Sequence, residues 1–394
     1  MPETSVLPFT VARLYFTIGW AISERLLHRD ALASNIRPVT SKTRERRGPG
    51  RPGKVTIKEV AEAAGVSMMT VSNVIHNRPN VGEASRRRVL SKIKSLGYVP
   101  NRAAQELAGV AHGRFGLLYS SARNQFAGSL FAGSLAAAVR LRADISIQLA
   151  EPGDPAAFRR SLKRMVDSGI EGLLLPSPIA EFAAETYAGK HLPVPAVAIA
   201  TGHPLAGMSS VRSDERQAAF EIVSMLLELG HTKIAYLSGP DSQSGCIARR
   251  EGYFAALKAR GLSPRPELQA RSIFRFQEGL QAADALLQRE PRITAVFAAN
   301  DTLAASVIAA AHRRGIAVPE SLSVVGYDDS PIAEQVWPAL TTVRQDAVAM
   351  TDRAVEVLNQ AVKDWRADRS ARREEDVLLP YEIVLRASIA RVRR

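Results

Sequence analysis

Beyond residue 114 the chain alternates between short apolar runs and stretches of helical spacing, and this alternation constrains the fold more than any other feature. Apolar runs lie at 115–119, 172–175, 194–200, 234–238, 295–299 and 323–327. Helical spacing marks 131–141, 156–168, 215–229, 248–260, 280–288 and 303–314. Strands alternating with helices predict a parallel sheet with helices on both faces. About 280 residues of this pattern exceed what one such sheet can hold, so two α/β lobes are expected. At 46% hydrophobic residues, the 394-residue chain has enough apolar material for real cores.

The charge is unevenly spread. The formal net charge is +13, which favours an anionic partner, either nucleic acid or a membrane surface. Lys42, Arg44, Arg46, Arg47, Arg51 and Lys54 crowd one stretch with only Glu45 against them, and Arg86, Arg87, Arg88, Lys92 and Lys94 follow. Positive charge gathered at one end reads as a phosphate-contacting head on a more neutral body. No run of 18 apolar residues occurs; residues 7–27 come nearest and are broken by Arg13, Glu24 and Arg25. No membrane partner is therefore expected. The single cysteine, Cys246, offers neither an internal disulfide nor a zinc cluster. A reducing cytoplasmic setting fits, with the protein on the nucleoid.

Residues 1–54 read as an N-terminal extension and a basic Gly/Pro linker without stable structure. The segment 55–99 is compact and helical in pattern. Thr56 is placed to cap a first helix, with Glu59 three residues on completing a capping box. Ala61 is small where two helices cross, Gly65 supplies a left-handed turn residue, and Ser67 caps a second helix. Val60, Ala64, Val66, Val71 and Val74 fall on the buried faces. An ordinary helical hairpin makes the same core demands. The basic surroundings favour a helix-turn-helix whose second helix enters the major groove. Met68, Met69 and Asn73 then face the base edges: asparagine can pair with adenine, whereas methionine reaches only apolar edges such as the thymine methyl.

The body carries no phosphate-binding glycine motif, no HExxH and no nucleophile elbow. Asp328 and Asp329 suggest metal or phosphoryl chemistry at most weakly; an acidic pair without further ligands reads as a strand-end turn. No catalytic residue, metal or cofactor is expected.

The head, together with Tyr98-Val99-Pro100-Asn101 and Ala104-Gln105-Glu106-Leu107-Ala108, resembles the LacI/GalR family of bacterial transcriptional regulators. So do Arg249-Arg250-Glu251-Gly252-Tyr253, the run 294–301 ending in Asn300-Asp301, the run 318–329 ending in Asp328-Asp329, and Leu340-Thr341-Thr342-Val343-Arg344-Gln345. The resemblance covers about residues 55–394. It implies an α-helical helix-turn-helix head joined to an α/β, two-lobed effector domain like the type I periplasmic binding proteins, with three strands crossing between lobes. The implied divisions are a head at 55–99, a hinge helix and linker at 100–113, and an effector-binding and dimerisation domain at 114–394. Within that domain, lobe 1 spans about 114–230 and 345–375, and lobe 2 about 231–344 and 376–394.

The DNA-contacting residues implied by the resemblance are Thr56, Ile57, Ser67, Met68, Met69, Thr70, Ser72, Asn73, His76 and Asn80 in the head. Asn101, Ala104, Gln105 and Leu107 join them from the hinge, with Leu107 as a minor-groove wedge. The implied effector residues are Arg123, Phe126, Arg249, Phe274, Asn300, Asp328 and Gln345. An Arg-Asn-Asp set with one aromatic suits a polyhydroxylated ligand. Arg123 is unusual at its position and could attract an acidic sugar or a phosphate, or simply face water. The implied protein is a homodimeric repressor of carbohydrate-utilisation genes, binding a near-palindromic double-stranded operator and responding to a sugar. A purine or other non-sugar metabolite is the alternative effector; a transport receptor is the contrasting class.

Overall fold

Among the described residues of the N-terminal unit, three helices surround a small valine core. The computed structural model describes residues 55–75, 80–98, 113–120, 125–150 and 152–392, and the chain divides into two units between residues 100 and 101. The extension 1–54, most of the linker 100–113, and residues His76, Asn101, Ala104, Gln105, Leu107 and Arg123 lie outside the described residues.

Helices α1 (Ile57–Ala64), α2 (Met68–Ile75) and α3 (Glu83–Leu96) form the head. The capping box is made: Glu59 N donates to Thr56 Oγ1 at 3.4 Å, and Thr56 N donates to Glu59 Oε2 at 2.6 Å. Gly65 ends α1 at φ 63°, a conformation that a Cβ would penalise. Thr70 N donates to Ser67 Oγ at 3.1 Å, which satisfies one free amide at the start of α2. Val60, Val71 and Val89 are wholly buried, with Ala61, Ala64, Val74 and Tyr98 around them. Each buried valine contributes about 1.5–3 kcal/mol, and little else holds so small a domain. Val66, expected to be buried, is only partly covered.

The second unit runs β1 (Arg114–Tyr119), α4 (Gln125–Arg140), β2 (Asp144–Leu149), α5 (Pro155–Asp167), β3 (Gly172–Pro176), α6 (Ile179–Thr186), β4 (Ala196–Ile199) and β5 (Ser209–Ser213). It continues through α7 (Glu215–Glu228), β6 (Ile234–Ser238), α8 (Ser244–Ala259), β7 (Gln269–Arg271), α9 (Phe276–Arg289), β8 (Ala295–Ala298), α10 (Asp301–Arg313) and β9 (Ser323–Val325). It ends with α11 (Ile332–Gln335), β10 (Thr342–Gln345), α12 (Ala347–Ala367), β11 (Asp376–Leu379) and β12 (Tyr381–Val384).

Two parallel sheets result. The first has the order β2-β1-β3-β4-β5-β11 and the second β7-β6-β8-β9. Strands β10 and β12 pair antiparallel as a separate ribbon. Every residue of β3 and of β6 is buried, as strands covered on both faces require. Helices cover both faces of the first sheet, giving one core around Leu118, Leu162 and Leu173 and another around Phe115, Leu174 and Leu358.

The lobe boundaries differ from those the sequence suggests. Helix α7 packs in the second lobe, where Ile222, Val223 and Leu226 join Tyr236 and Tyr253 in one core. The first crossing therefore falls at Asp214, upstream of 230. Strand β11 pairs with β5 in the first sheet, so the third crossing lies at Pro380, between β11 and β12, and residues 376–379 leave the second lobe. The second crossing is at Asp346, between β10 and α12. Periodicity shows that a helix has a buried face; it does not show which sheet that face covers.

Helices α7 and α8 pack backbone to backbone at Gly252. A Cβ there would lie 2.8 Å from Ala219 Cβ and closer still to the Arg216 carbonyl. Gly252→Ala is expected to destabilise this unit by about 1–3 kcal/mol, because the added methyl meets backbone that cannot yield locally. Calorimetry would record this as a lower melting temperature; an unchanged one would mean that the two helices separate freely.

Candidate DNA-reading head and effector cleft

In the head, the first residues of α2 point outward. Met68 and Met69 are 54% and 68% exposed, so neither serves the core. Two adjacent large apolar side chains at the helix start are thus accessible to a partner. Ser67 Oγ and Thr70 Oγ1 lie 2.9 Å apart, tying the cap to the third residue of α2. Asn73 and Ser72 are half-buried on the same helix, and Thr56 and Asn80 are exposed. Ile57 is partly buried and packs against the head core. Helix α3 adds Arg87, Arg88, Lys92 and Lys94 as exposed cations.

In the second unit, one buried guanidinium organises the cleft. Arg249 projects from the second turn of α8 and is 7% exposed. Its Nε donates to Glu215 Oε2 and its Nη1 donates to the Ala299 carbonyl at 2.5 Å. Its Nη2 stands 3.6 Å from Asp328 Oδ1, and the guanidinium lies 3.7 Å from the centroid of the Tyr327 ring. Asp328 follows β9 with φ 103°, a strained value for a residue with a Cβ. Its backbone amide donates to the Val343 carbonyl at 2.8 Å, which fixes it against β10.

Asp328 is also tied to the crossing segments. Gln345 Nε2 donates to Asp328 Oδ1 at 3.0 Å, and Ser213 Oγ donates to Gln345 Oε1 at 2.8 Å. Ser213 ends β5 before the first crossing and Gln345 ends β10 before the second. A continuous polar chain therefore runs Ser213–Gln345–Asp328–Arg249–Glu215. Burial pushes the Asp328 carboxyl up to about 8, against the pull of Arg249. The guanidinium itself is raised: its burial opposes charge, but Glu215 and Asp328 outweigh that cost.

Of the seven effector residues suggested by sequence, Phe126, Arg249, Phe274 and Asp328 line one cavity of about 40 Å³. Gln345 supports that wall through Asp328. Asn300 does not line the cavity. Its Oδ1 accepts from Leu303 N at 2.9 Å as the cap of α10. Phe274 lies so near Gly239 that a Cβ there would enter its ring. Sequence reasoning missed Ser177, Ala200, Gln243 and Cys246 in the lining and Ser213 and Glu215 behind it. Burial pushes the Cys246 thiol up to about 12, so it is a filler and not a nucleophile.

Hydrogen bonds join the lobes beside this cavity, among them Gly202 N, which donates to Ser244 Oγ at 2.8 Å. Ser244, at the start of α8, donates from N and Oγ to Glu181 Oε1 of α6 at 3.0 and 2.6 Å. Ile332 N of α11 donates to Gln125 Oε1 of α4 at 3.2 Å. A wider depression of about 790 Å³ opens beyond β6 and β7 around Asp241, Arg271 and Glu278. There Asp241 is already paired with both Arg250 and Arg271, so it lacks the convergent buried groups of the cleft.

Residues 56–101 match the family described as bacterial regulatory proteins, lacI family, and residues 223–389 match the periplasmic binding protein-like domain. The HTH-type transcriptional regulator DegA of Bacillus subtilis is 32% identical over 343 residues, spanning 85% of this chain and 98% of DegA. The chain belongs to the LacI family. The structure of the lac repressor dimer bound to operator and the anti-inducer ONPF is similar at TM-score 0.70 and 27% identity, over 86% of this chain and 100% of that one. The CelR–cellobiose complex is similar at TM-score 0.61 and 28% identity, over 85% and 99%. As a LacI-family member the protein is a DNA-binding transcriptional regulator with a helix-turn-helix head and a two-lobed α/β body. Among the described residues, no helix is long and apolar enough to cross a membrane.

Proposed function

We propose that this LacI-family regulator is a homodimeric repressor of carbohydrate-utilisation genes, controlled by a sugar bound between its lobes. The observation that carries the reading is the polar chain from Ser213 to Glu215. The same side chains that face the cavity also hold two of the three crossing segments. A ligand that hydrogen-bonds Asp328 or Arg249 therefore acts on the segments that set the lobe angle. Phe274 and Phe126 supply apolar walls for a sugar face, and the similarity to a cellobiose complex supports the same class.

The cavity of about 40 Å³ is far smaller than a ligand site of roughly 300–1,000 Å³. Effector entry then requires the lobes to part at Glu181–Ser244, Gly202–Ser244 and Gln125–Ile332. Residues 101–107 are proposed to pass the change to the heads, with Leu107 as the wedge in the operator centre. Thr56, Ser67, Met68, Met69, Thr70, Ser72, Asn73, His76 and Asn80 are proposed to contact DNA, and two heads would read two half-sites of a near-palindrome. No catalytic role is proposed: Glu215 and Asp328 are paired with Arg249 and the one thiol is held protonated. Its place is the cytoplasm, where a bacterial operator is reached.

The test is a fluorescence-anisotropy titration of labelled promoter DNA from neighbouring genes, with and without candidate sugars and with adenine as a purine probe. A specific complex whose affinity changes about 5–150-fold with one sugar supports the reading. A response to adenine alone would overturn the sugar assignment.

A further inference from the structure

We propose that Glu215 makes this cleft selective for uncharged polyhydroxylated effectors and against phosphorylated or carboxylated ones. The inference rests on the sugar reading above and adds a charge class to it. Glu215 opens α7, immediately after the first crossing, and is 1% exposed. One carboxylate oxygen takes Arg249 Nε, while the other, Oε1, is buried without a partner. The carboxylate stands directly behind the cavity wall: a Cβ on Gly245, which lines the cavity, would come within 3.2 Å of Glu215 Oε2.

Arg249 is the cation an anionic ligand would seek, and it is already occupied. Glu215 takes its Nε, the Ala299 carbonyl takes Nη1, Asp328 faces Nη2 and the Tyr327 ring covers its face. With Asp328 ionised, this group of three carries one more negative than positive charge. With Asp328 protonated it carries none. In neither state is there net positive charge to repay the desolvation of a phosphate or carboxylate. A further acid stands behind Ser177, which lines the cavity: Glu181 Oε1 accepts from Ser177 Oγ at 2.8 Å, and its Oε2 is buried and unpartnered. Glu215 and Glu181 thus bring unpartnered carboxylate oxygens up to the cavity from two sides, which suits hydroxyl donors and repels acceptor-only anions. This runs against the attraction for acidic sugars that Arg123 suggests on the sequence.

Calorimetric titration of the full chain with glucose, ribose and cellobiose, beside the hexose and pentose phosphates, gluconate and inorganic phosphate, tests the proposal. The neutral sugar that binds should do so at least about tenfold more tightly than its phosphate or acid form. Glu215→Gln keeps an acceptor for Arg249 and removes the charge; it should narrow that ratio about tenfold while the neutral sugar still binds. Tighter binding of the phosphate or acid by the wild-type protein overturns the inference and leaves the sugar reading standing. An unchanged ratio in E215Q removes Glu215 from it. Should E215Q fold poorly, the wild-type ratio decides alone. Binding of none of the sugars, neutral or anionic, overturns the sugar reading itself.

Discussion

Arg249→Ala is expected to lower the stability of the effector unit by about 3–5 kcal/mol, because it leaves Glu215 and Asp328 buried with no counter-charge. Chemical denaturation measures this directly. The loss should be strongly non-additive with Glu215→Gln: removing the carboxylate's charge in an Arg249→Ala background should recover part of the deficit, since the two side chains form one buried unit. A loss under about 1 kcal/mol, the size of an exposed pair, would show that the guanidinium is not buried as described. The prediction changes how a failed effector response in this variant is read. On the sequence alone Arg249 is a ligand contact, and its removal should spare operator binding. In the structure it is also the centre of the cleft wall, so lost induction is interpretable only alongside a melting curve.

The double substitution Met68→Ala and Met69→Ala is expected to do the reverse, leaving stability alone and removing specificity. Both side chains are largely exposed at the start of α2 and contribute nothing to the Val60–Val71–Val89 core. Each lost base contact typically costs about 1–3 kcal/mol, so operator affinity should fall at least about tenfold, and further if two heads act together. Affinity for unrelated duplex DNA should scarcely change, because it rests on phosphate contacts by cations such as Arg87 and Lys94. Circular dichroism and anisotropy against both DNAs measure the two halves of this statement. An equal loss on both DNAs would place the methionines outside base recognition.

Much of this architecture is legible in the sequence because its signals are local. The capping box at Thr56 and Glu59, the left-handed Gly65 and the valine spacing specify the head within twenty residues or so, and no distant contact is needed to read them. Strands β1, β3, β6 and β8 announce themselves as continuous apolar runs. Strand β5 does not. Its sequence, Ser-Ser-Val-Arg-Ser, looks like a loop, yet Ser209, Ser210 and Ser213 are wholly buried. Their hydroxyls meet partners far along the chain: Ser209 donates to the Arg373 carbonyl and Ser213 to Gln345. Strand β2 was equally hidden, since it lies at the sheet edge and leaves Ile147 and Leu149 exposed.

The cleft divides in the same way. Arg249, Asp328 and Gln345 stand in motifs that carry the family pattern. Glu215 stands in none of the motifs read from the sequence, because an acidic residue at the start of a helix ordinarily reads as a solvated partner of the helix dipole. Only the fold, by turning α7 onto α8 immediately after the first crossing, brings it against Arg249. Asn300 has a role that the sequence reading did not include. It stands in a family motif, but its side chain oxygen is spent on the N-terminus of α10.

The central claim is that this protein couples a ligand between its lobes to sequence-specific DNA binding, and footprinting on the DNA around its own gene tests that most directly. The account predicts two protected half-sites related by two-fold symmetry, with protection that shifts to a different protein concentration when one neutral sugar is added. Protection without symmetry, or a symmetric footprint that no small molecule moves, would contradict it.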